Sequence, residues 1–182
     1  MITGGLYVVL LAVLLVRVRT TDAPRPAPVP VEPGEPVALV RVHHGLFAML
    51  LFGSPLVAWW KGGDDRAALL GGMLFTLGVL LYRSAGRALG SSLSPLVAPR
   101  PGATLVTDGI YRSIRHPMYL GQALIAVGAP LLAGAPVLLW VALPALGVLA
   151  LRIMLEDSAL ARRYPEFTRY AAHTRRILPY LL

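Results

Sequence analysis

Cysteine is absent from the 182 residues, which excludes disulfides, thiolate metal sites and cysteine nucleophiles. Charge is scarce as well: 14% of residues are charged, against about 25% in an average soluble chain. That is too little to solvate a globule of this size. Acidic residues are the scarcer sign, 9 against 17 basic ones, which leaves a net charge of +8. There is no Gly-x-Ser-x-Gly, no phosphate-binding Gly-x-x-x-x-Gly-Lys loop and no His-Glu-x-x-His. Each of these is a local signature of a common hydrolase or nucleotide-binding class. No basic stretch is interleaved with aromatics, and the arginines lie at the ends of apolar runs. The positive charge therefore reads as membrane orientation and contact with anionic lipid, and no nucleic-acid partner is expected.

Apolar sequence is what the chain has in quantity. Hydrophobic residues make up 56% of it and the mean hydropathy is +0.66. They come in blocks, and a helix that crosses a bilayer takes about 20 such residues. Blocks at residues 2–16, 37–60, 67–82, 118–132 and 137–155 predict an all-α, polytopic transmembrane bundle of about five spans. The first block reads as a retained helix, because no basic residue precedes it and no small-residue cleavage site follows it. Residues 20–36, TTDAPRPAPVPVEPGEP, form a proline-rich linker, extended because proline fixes φ and donates no backbone hydrogen bond. Residues 1–82 group as N-terminal helices with this linker. Residues 83–182 group as a loop, a helical hairpin and a basic tail, with the tail helical up to Pro179.

The basic residues orient the bundle. The first loop holds Arg17, Arg19, Arg25 and Arg41, and the region 83–117 holds Arg83, Arg87, Arg100, Arg112 and Arg115. The tail region holds Arg152, Arg162, Arg163, Arg169, Arg175 and Arg176, whereas the second loop has only Lys61 and Arg66 and the fourth has none. With an odd number of spans, the positive-inside rule puts the N-terminus outside and the C-terminus in the cytoplasm, in the cell inner membrane.

Three polar clusters stand out against this background. Residues 107–121 place Tyr111, Arg112, Arg115, His116 and Tyr119 at the mouth of the fourth span. Pro117 suits the first helical turn, where its missing N–H costs nothing, and His116 then precedes a helix N-terminus, which favours an anionic ligand. An interfacial belt of Tyr and Arg explains part of this cluster but not the adjacent His-Pro. Glu156 and Asp157 lie at the end of the fifth span, where acids usually have a partner and often a function. The plain alternative is an Arg152–Glu156 pair at i,i+4 spacing. In the tail, Phe167, Tyr170 and Thr174 share one helical face, which also suits an amphipathic helix lying on lipid. His43 and His44 are adjacent and point to different helix faces, so no metal site is expected there. Gly71, Gly72 and Gly78 suit close helix packing.

Taken in order, these clusters resemble the integral membrane methyltransferases of the isoprenylcysteine carboxyl methyltransferase and phospholipid methyltransferase superfamily. The similarity rests on Leu105, Val106, Gly109, Tyr111, Arg115-His116-Pro117, Tyr119 and Gly121. It continues with Glu156, Asp157 and Leu160, then Phe167, Tyr170, Arg176, Leu178 and Pro179, and covers roughly residues 80–182. The usual Glu-Glu of the superfamily is Glu-Asp here, and its Phe-Gly is Tyr164-Pro165. The resemblance implies S-adenosylmethionine as methyl donor, enclosed at the cytoplasmic face by the Arg-His-Pro loop, the hairpin and the tail. Tyr111, His116 and Tyr119 would contact it, with backbone donors near Leu120 and Gly121. Glu156 or Asp157 would bind a polar part of it, and Tyr164 or Tyr170 would pack on it. Arg115 and Arg176, with Tyr170, would act on the reacting groups, the arginines by holding an acidic group of cofactor or substrate. The acceptor would be a lipophile reaching the site sideways between helices: a prenylated cysteine carboxylate, a phospholipid amine or a small thiol. Two other readings stand beside this one. The Arg-His-Pro-x-Tyr stretch and Pro179-Tyr180 also resemble sterol-reductase-like NADPH oxidoreductases, which usually follow His-Pro with Asn. A non-catalytic small transporter or assembly protein is the other, though transporters often show internal repeats and this chain shows none.

Overall fold

The computed structural model describes residues 5, 7–9, 11, 12, 31, 34–61 and 64–177. The chain is mainly helical in this range, with no strand among the described residues. Four long helices dominate: α1 (Val37–Lys61), α2 (Ala68–Leu89), α3 (Pro117–Ala133) and α4 (Leu139–Arg163), followed by a short α5 (Phe167–His173). Helical segments at Val37–Lys61, Ala68–Ser92 and Pro136–Arg163 are long and apolar enough to cross a membrane. Pro117–Ala133 is equally apolar but has only 17 residues, about 26 Å at 1.5 Å per residue. The structure therefore shows three candidate spans and one shorter apolar helix. Of the expected first span, residues 5, 7–9, 11 and 12 are described and helical, and of the linker at 20–36 only 31 and 34–36 are described.

α3 is the hub and packs against α1, α2 and α4. Its contact with α2 is the most intimate, because glycine faces glycine. A Cβ on Gly121 would stand 2.7 Å from the Tyr82 nitrogen, and one on Gly78 2.7 Å from the Gly121 carbonyl oxygen. Further along, a Cβ on Gly128 would stand 2.6 Å from the Phe75 nitrogen. Small residues let two backbones approach this closely, which is how helices gain packing energy where lipid removes the hydrophobic drive. Gly71 and Gly78 thus do what their spacing suggests. Phe75, Val79, Ile125 and Leu132 fill the core beside them.

Backbone groups freed by prolines find partners, as a membrane interior demands. Pro55 interrupts α1 and cannot donate to the Leu51 carbonyl. The Tyr7 hydroxyl donates to that carbonyl instead, and Tyr7 packs on Phe75. At the far end of the bundle, Gly134 closes α3 in the left-handed conformation at φ 77°, as a C-terminal glycine does. The Gly134 carbonyl accepts the Asp64 N–H at 3.0 Å, tying the two turns at that end together.

Two expected boundaries are corrected. The sequence pattern predicts a non-helical region from Arg83 onward, yet α2 runs on to Leu89 and a 3-10 turn to Ser92, so Arg83 and Arg87 ride on the helix. It also predicts a tail that is helical up to Pro179. Instead α4 ends at Arg163, Tyr164-Pro165-Glu166 makes a turn, and residues 174–177 are extended after α5. Tertiary pairing outweighs helical propensity there. Arg115 N–H donates to Arg175 O at 2.7 Å, His116 N–H to Arg176 O at 2.9 Å, and Arg175 N–H to Ser113 O at 3.1 Å. Leu178, Pro179 and Tyr180 lie outside the described residues.

Candidate functional site

The polar clusters converge at the end of the bundle where α2 and α4 finish and α3 begins. Between them lies a cavity of about 390 Å³, within the roughly 300–1,000 Å³ typical of small-molecule sites. The segment from Leu89 to Val106 walls one side of it; α3 contributes Met118, Tyr119 and Gln122, with His116 just before it, and α4 contributes Arg152, Glu156 and Leu160. Tyr111, Arg115, Tyr164 and Tyr170 complete the lining.

The wall segment is held by charged side chains at its flanks. Glu35, just before α1, accepts the N–H groups of Val97 and Ala98 at 2.7 and 3.1 Å. Arg152 donates from Nη2 to the Pro95 carbonyl, and Ser94 Oγ donates to Ala98 O at 2.8 Å. Tyrosine hydroxyls pin the remaining pieces. Tyr164 donates to Ala103 O at 2.9 Å, Tyr170 to Tyr111 O at 2.7 Å, and Tyr119 to the Glu156 carboxylate. Burial raises the pKa of Tyr111 and Tyr164 and pushes that of Tyr170 up to about 12. These hydroxyls therefore stay protonated donors at any physiological pH.

Glu156 and Asp157 part company. Successive helical residues point about 100° apart, and only Glu156 lines the cavity. Asp157 faces the tail and gathers a histidine and two arginines: His116 Nε2 at 2.8 Å, Arg176 Nε at 2.9 Å and Arg115 Nε at 3.6 Å. Its side chain is 10% exposed, and the Arg176 side chain 51%. Arg115 also donates from Nη1 to the carbonyls of Ala171 and Thr174, at 2.9 and 2.6 Å. One carboxylate thus locks the Arg-His-Pro corner to the tail.

Of the residues expected from sequence, Tyr111, Arg115, His116, Tyr119, Glu156, Tyr164 and Tyr170 are brought together around the cavity. Leu120, Gly121, Asp157 and Arg176 are not part of its lining. The expected backbone donors are engaged elsewhere: the N–H groups of Tyr119 and Leu120 both bond the His116 carbonyl at 3.1 Å, and Gly121 is spent on contact with α2. Sequence reasoning undervalued Arg152. It pairs with no carboxylate among the described residues and is only 3% exposed, with its guanidinium 5.6 Å from the Tyr119 ring centre. A charge inside an apolar helix is the signal that marks it. Gln122 and Tyr82, which also line the cavity, were missed as single polar residues within apolar runs, and His44, also in the lining, was weighed only as a metal ligand.

Comparison with known proteins gives a family. A family model described as phospholipid methyltransferase matches residues 67–166, from the start of α2 to the turn after α4. No curated protein matches the chain.

Proposed function

The chain belongs to the phospholipid methyltransferase family and is an integral membrane methyltransferase, and from that premise we propose that it moves a methyl group from S-adenosylmethionine to a lipophilic acceptor at the cytoplasmic membrane face. One observation carries the reading. Three segments far apart in sequence place His116, Tyr119, Glu156, Tyr164 and Tyr170 around a single cavity of about 390 Å³. The donor set suits the cofactor, which combines an ammonium, a sulfonium and ribose hydroxyls with a carboxylate and a flat aromatic base.

When bound, S-adenosylmethionine supplies a methyl group activated by its positive sulfur, and transfer removes that charge. The protein's part is positioning and exclusion of water. Glu156, the acid that lines the cavity, is the partner for the donor's ammonium or hydroxyl groups. Tyr164 and Tyr170 offer neutral aromatic walls. Arg152, buried at the cavity with no carboxylate partner among the described residues, is better placed than Arg115 or Arg176 to hold an acidic group of the acceptor. Arg115 and Arg176 instead keep the tail closed against the Arg-His-Pro corner through Asp157. The acceptor reaches the cavity from the bilayer, between the helices.

Calorimetry on the detergent-purified protein tests this. Saturable binding of S-adenosylmethionine is expected, weakened by about tenfold or more in Glu156→Ala, as loss of a charge-assisted hydrogen bond implies. NADPH is expected to produce no heat of binding. Binding of NADPH, or silence from both ligands in folded protein, overturns the proposal.

A further inference from the structure

Glutamine occurs once in this chain, at position 122, and asparagine not at all. That one carboxamide sits inside the apolar helix α3 and is 9% exposed. It lies five residues beyond Pro117, about 8 Å deeper into the bundle. There it lines the cavity of the candidate site, and also a small neighbouring cavity bounded by His43 and Phe47 of α1. The amide lies between His43 and Tyr82 of α2, close enough to interact with both. Even so, Gln122 Oε1 and His43 Nε2 each lack a hydrogen bond of normal geometry among the described residues, and His43 is only 3% exposed. Arg152 Nε, on the same cavity, is a third buried polar atom without a partner. Buried polar groups are satisfied in the great majority of cases, and those that are not call for a reason. The fourth such atom among the described residues, Arg115 Nε, has the Asp157 carboxylate at 3.6 Å; the other three, on residues lining the two adjoining cavities, have no counter-charge and point to a ligand that completes them.

We propose that Gln122, backed by His43, is the residue that reads the polar group of the methyl acceptor, and that this group is a hydrogen-bond donor. The assignment rests on the methyl-transfer reading above and narrows its acceptor class. A carbonyl oxygen with a free lone pair welcomes an N–H, O–H or S–H and repels a carboxylate. The acceptor is accordingly a lipophile carrying an amine, hydroxyl or thiol at the end that reaches the cavity. Arg152 nearby offers a second contact, to an anionic group on the same molecule. Tyr82 and His44 line the flanks of the same cavity, one from α2 and one from α1.

The test uses full-length protein in detergent with radiolabelled S-adenosylmethionine and three acceptors: phosphatidylethanolamine vesicles, a long-chain alkyl thiol and an S-prenylated cysteine with a free carboxylate. Wild-type protein is expected to methylate the amine or thiol in preference to the carboxylate. Gln122→Leu and Gln122→Met are expected to raise the acceptor KM by about tenfold, as loss of one hydrogen bond in a dry site does. Donor affinity by calorimetry and the melting temperature are expected to hold in both variants or, for the latter, to rise. Preference for the carboxylate, an unchanged acceptor KM in both variants, or an equal loss of donor affinity overturns the assignment. Donor binding with no transfer to any of the three acceptors in the wild type overturns the proposed function itself, and this assignment with it.

Discussion

At the scale of single residues, the structure separates two adjacent acids that a sequence motif treats as a unit. Glu156 faces the cavity and takes one hydrogen bond, from Tyr119. Asp157 faces away and holds Arg115, Arg176 and His116. Their substitutions should therefore fail differently. Asp157→Asn leaves buried and half-buried cations without their counter-charge, and breaking a buried pair in this way costs about 3–5 kcal/mol. Glu156→Gln loses a single neutral-to-charged hydrogen bond, worth about 1.5–3 kcal/mol at most, and keeps a polar partner for Tyr119. Thermal unfolding in detergent should show a large drop for Asp157→Asn and a small one for Glu156→Gln, with donor binding impaired in both. Equal stability of the two variants would undo the division of roles. The acid pair itself was legible in the sequence, because charge at the end of an apolar helix is conspicuous. Which acid does what was not, since that depends on where the tail lies.

At the scale of elements, the α2–α3 contact is the piece most sensitive to a single methyl group. A Cβ at Gly121 would meet backbone atoms, the Tyr82 nitrogen at 2.7 Å and the Gly78 oxygen at 2.8 Å, and backbone cannot swing aside. Gly121→Ala should destabilise the bundle by about 1–3 kcal/mol, the usual cost of overpacking. A Cβ added to Gly147, in α4, would meet nothing within 4 Å. Gly147→Ala should be neutral or stabilising by up to about 1 kcal/mol, through helix propensity alone. Melting curves of the two variants check both signs. Helix existence was readable from apolar run length for α1 to α4, since each run fills a helix-length segment. Helix ends were not. α2 extends past its apolar run because Arg83 and Arg87 remain compatible with helix, and the tail loses its helix to backbone pairing with residues 113–116.

At the scale of the whole molecule, the two ends of the bundle differ in kind. The cavity end carries Arg83, Arg87, Arg112, Arg162, Arg163 and the basic residues of the tail, whereas the opposite end carries Lys61 and Arg66 beside Trp59, Trp60 and Trp140. Those tryptophans are 82, 75 and 76% exposed, as expected of an aromatic belt at a membrane interface. The positive-inside rule then predicts that the cavity faces the cytoplasm. The lack of cysteine makes the orientation directly measurable. Single substitutions Ser91→Cys at the cavity end and Asp64→Cys at the opposite end, both exposed, can be probed with a membrane-impermeant maleimide. In bacterial spheroplasts expressing the protein, Asp64→Cys should label while the membrane is intact and Ser91→Cys only after it is broken. The reverse pattern would invert the topology.

Composition and run length alone determined that this chain is a helical membrane protein, because a bilayer admits little else for so apolar and weakly charged a sequence. Motif spacing alone pointed to the methyltransferase family and to seven of the residues around the cavity, because those residues sit at or near helix ends where polar side chains are conspicuous. Only the tertiary structure decided that Asp157 joins the tail while Glu156 lines the cavity, that Gly121 packs against α2, and that Arg152 and Gln122 belong to the cavity. Each of these depends on which face of a helix meets which neighbour, and a side chain's direction is set by packing between segments that the linear sequence keeps far apart.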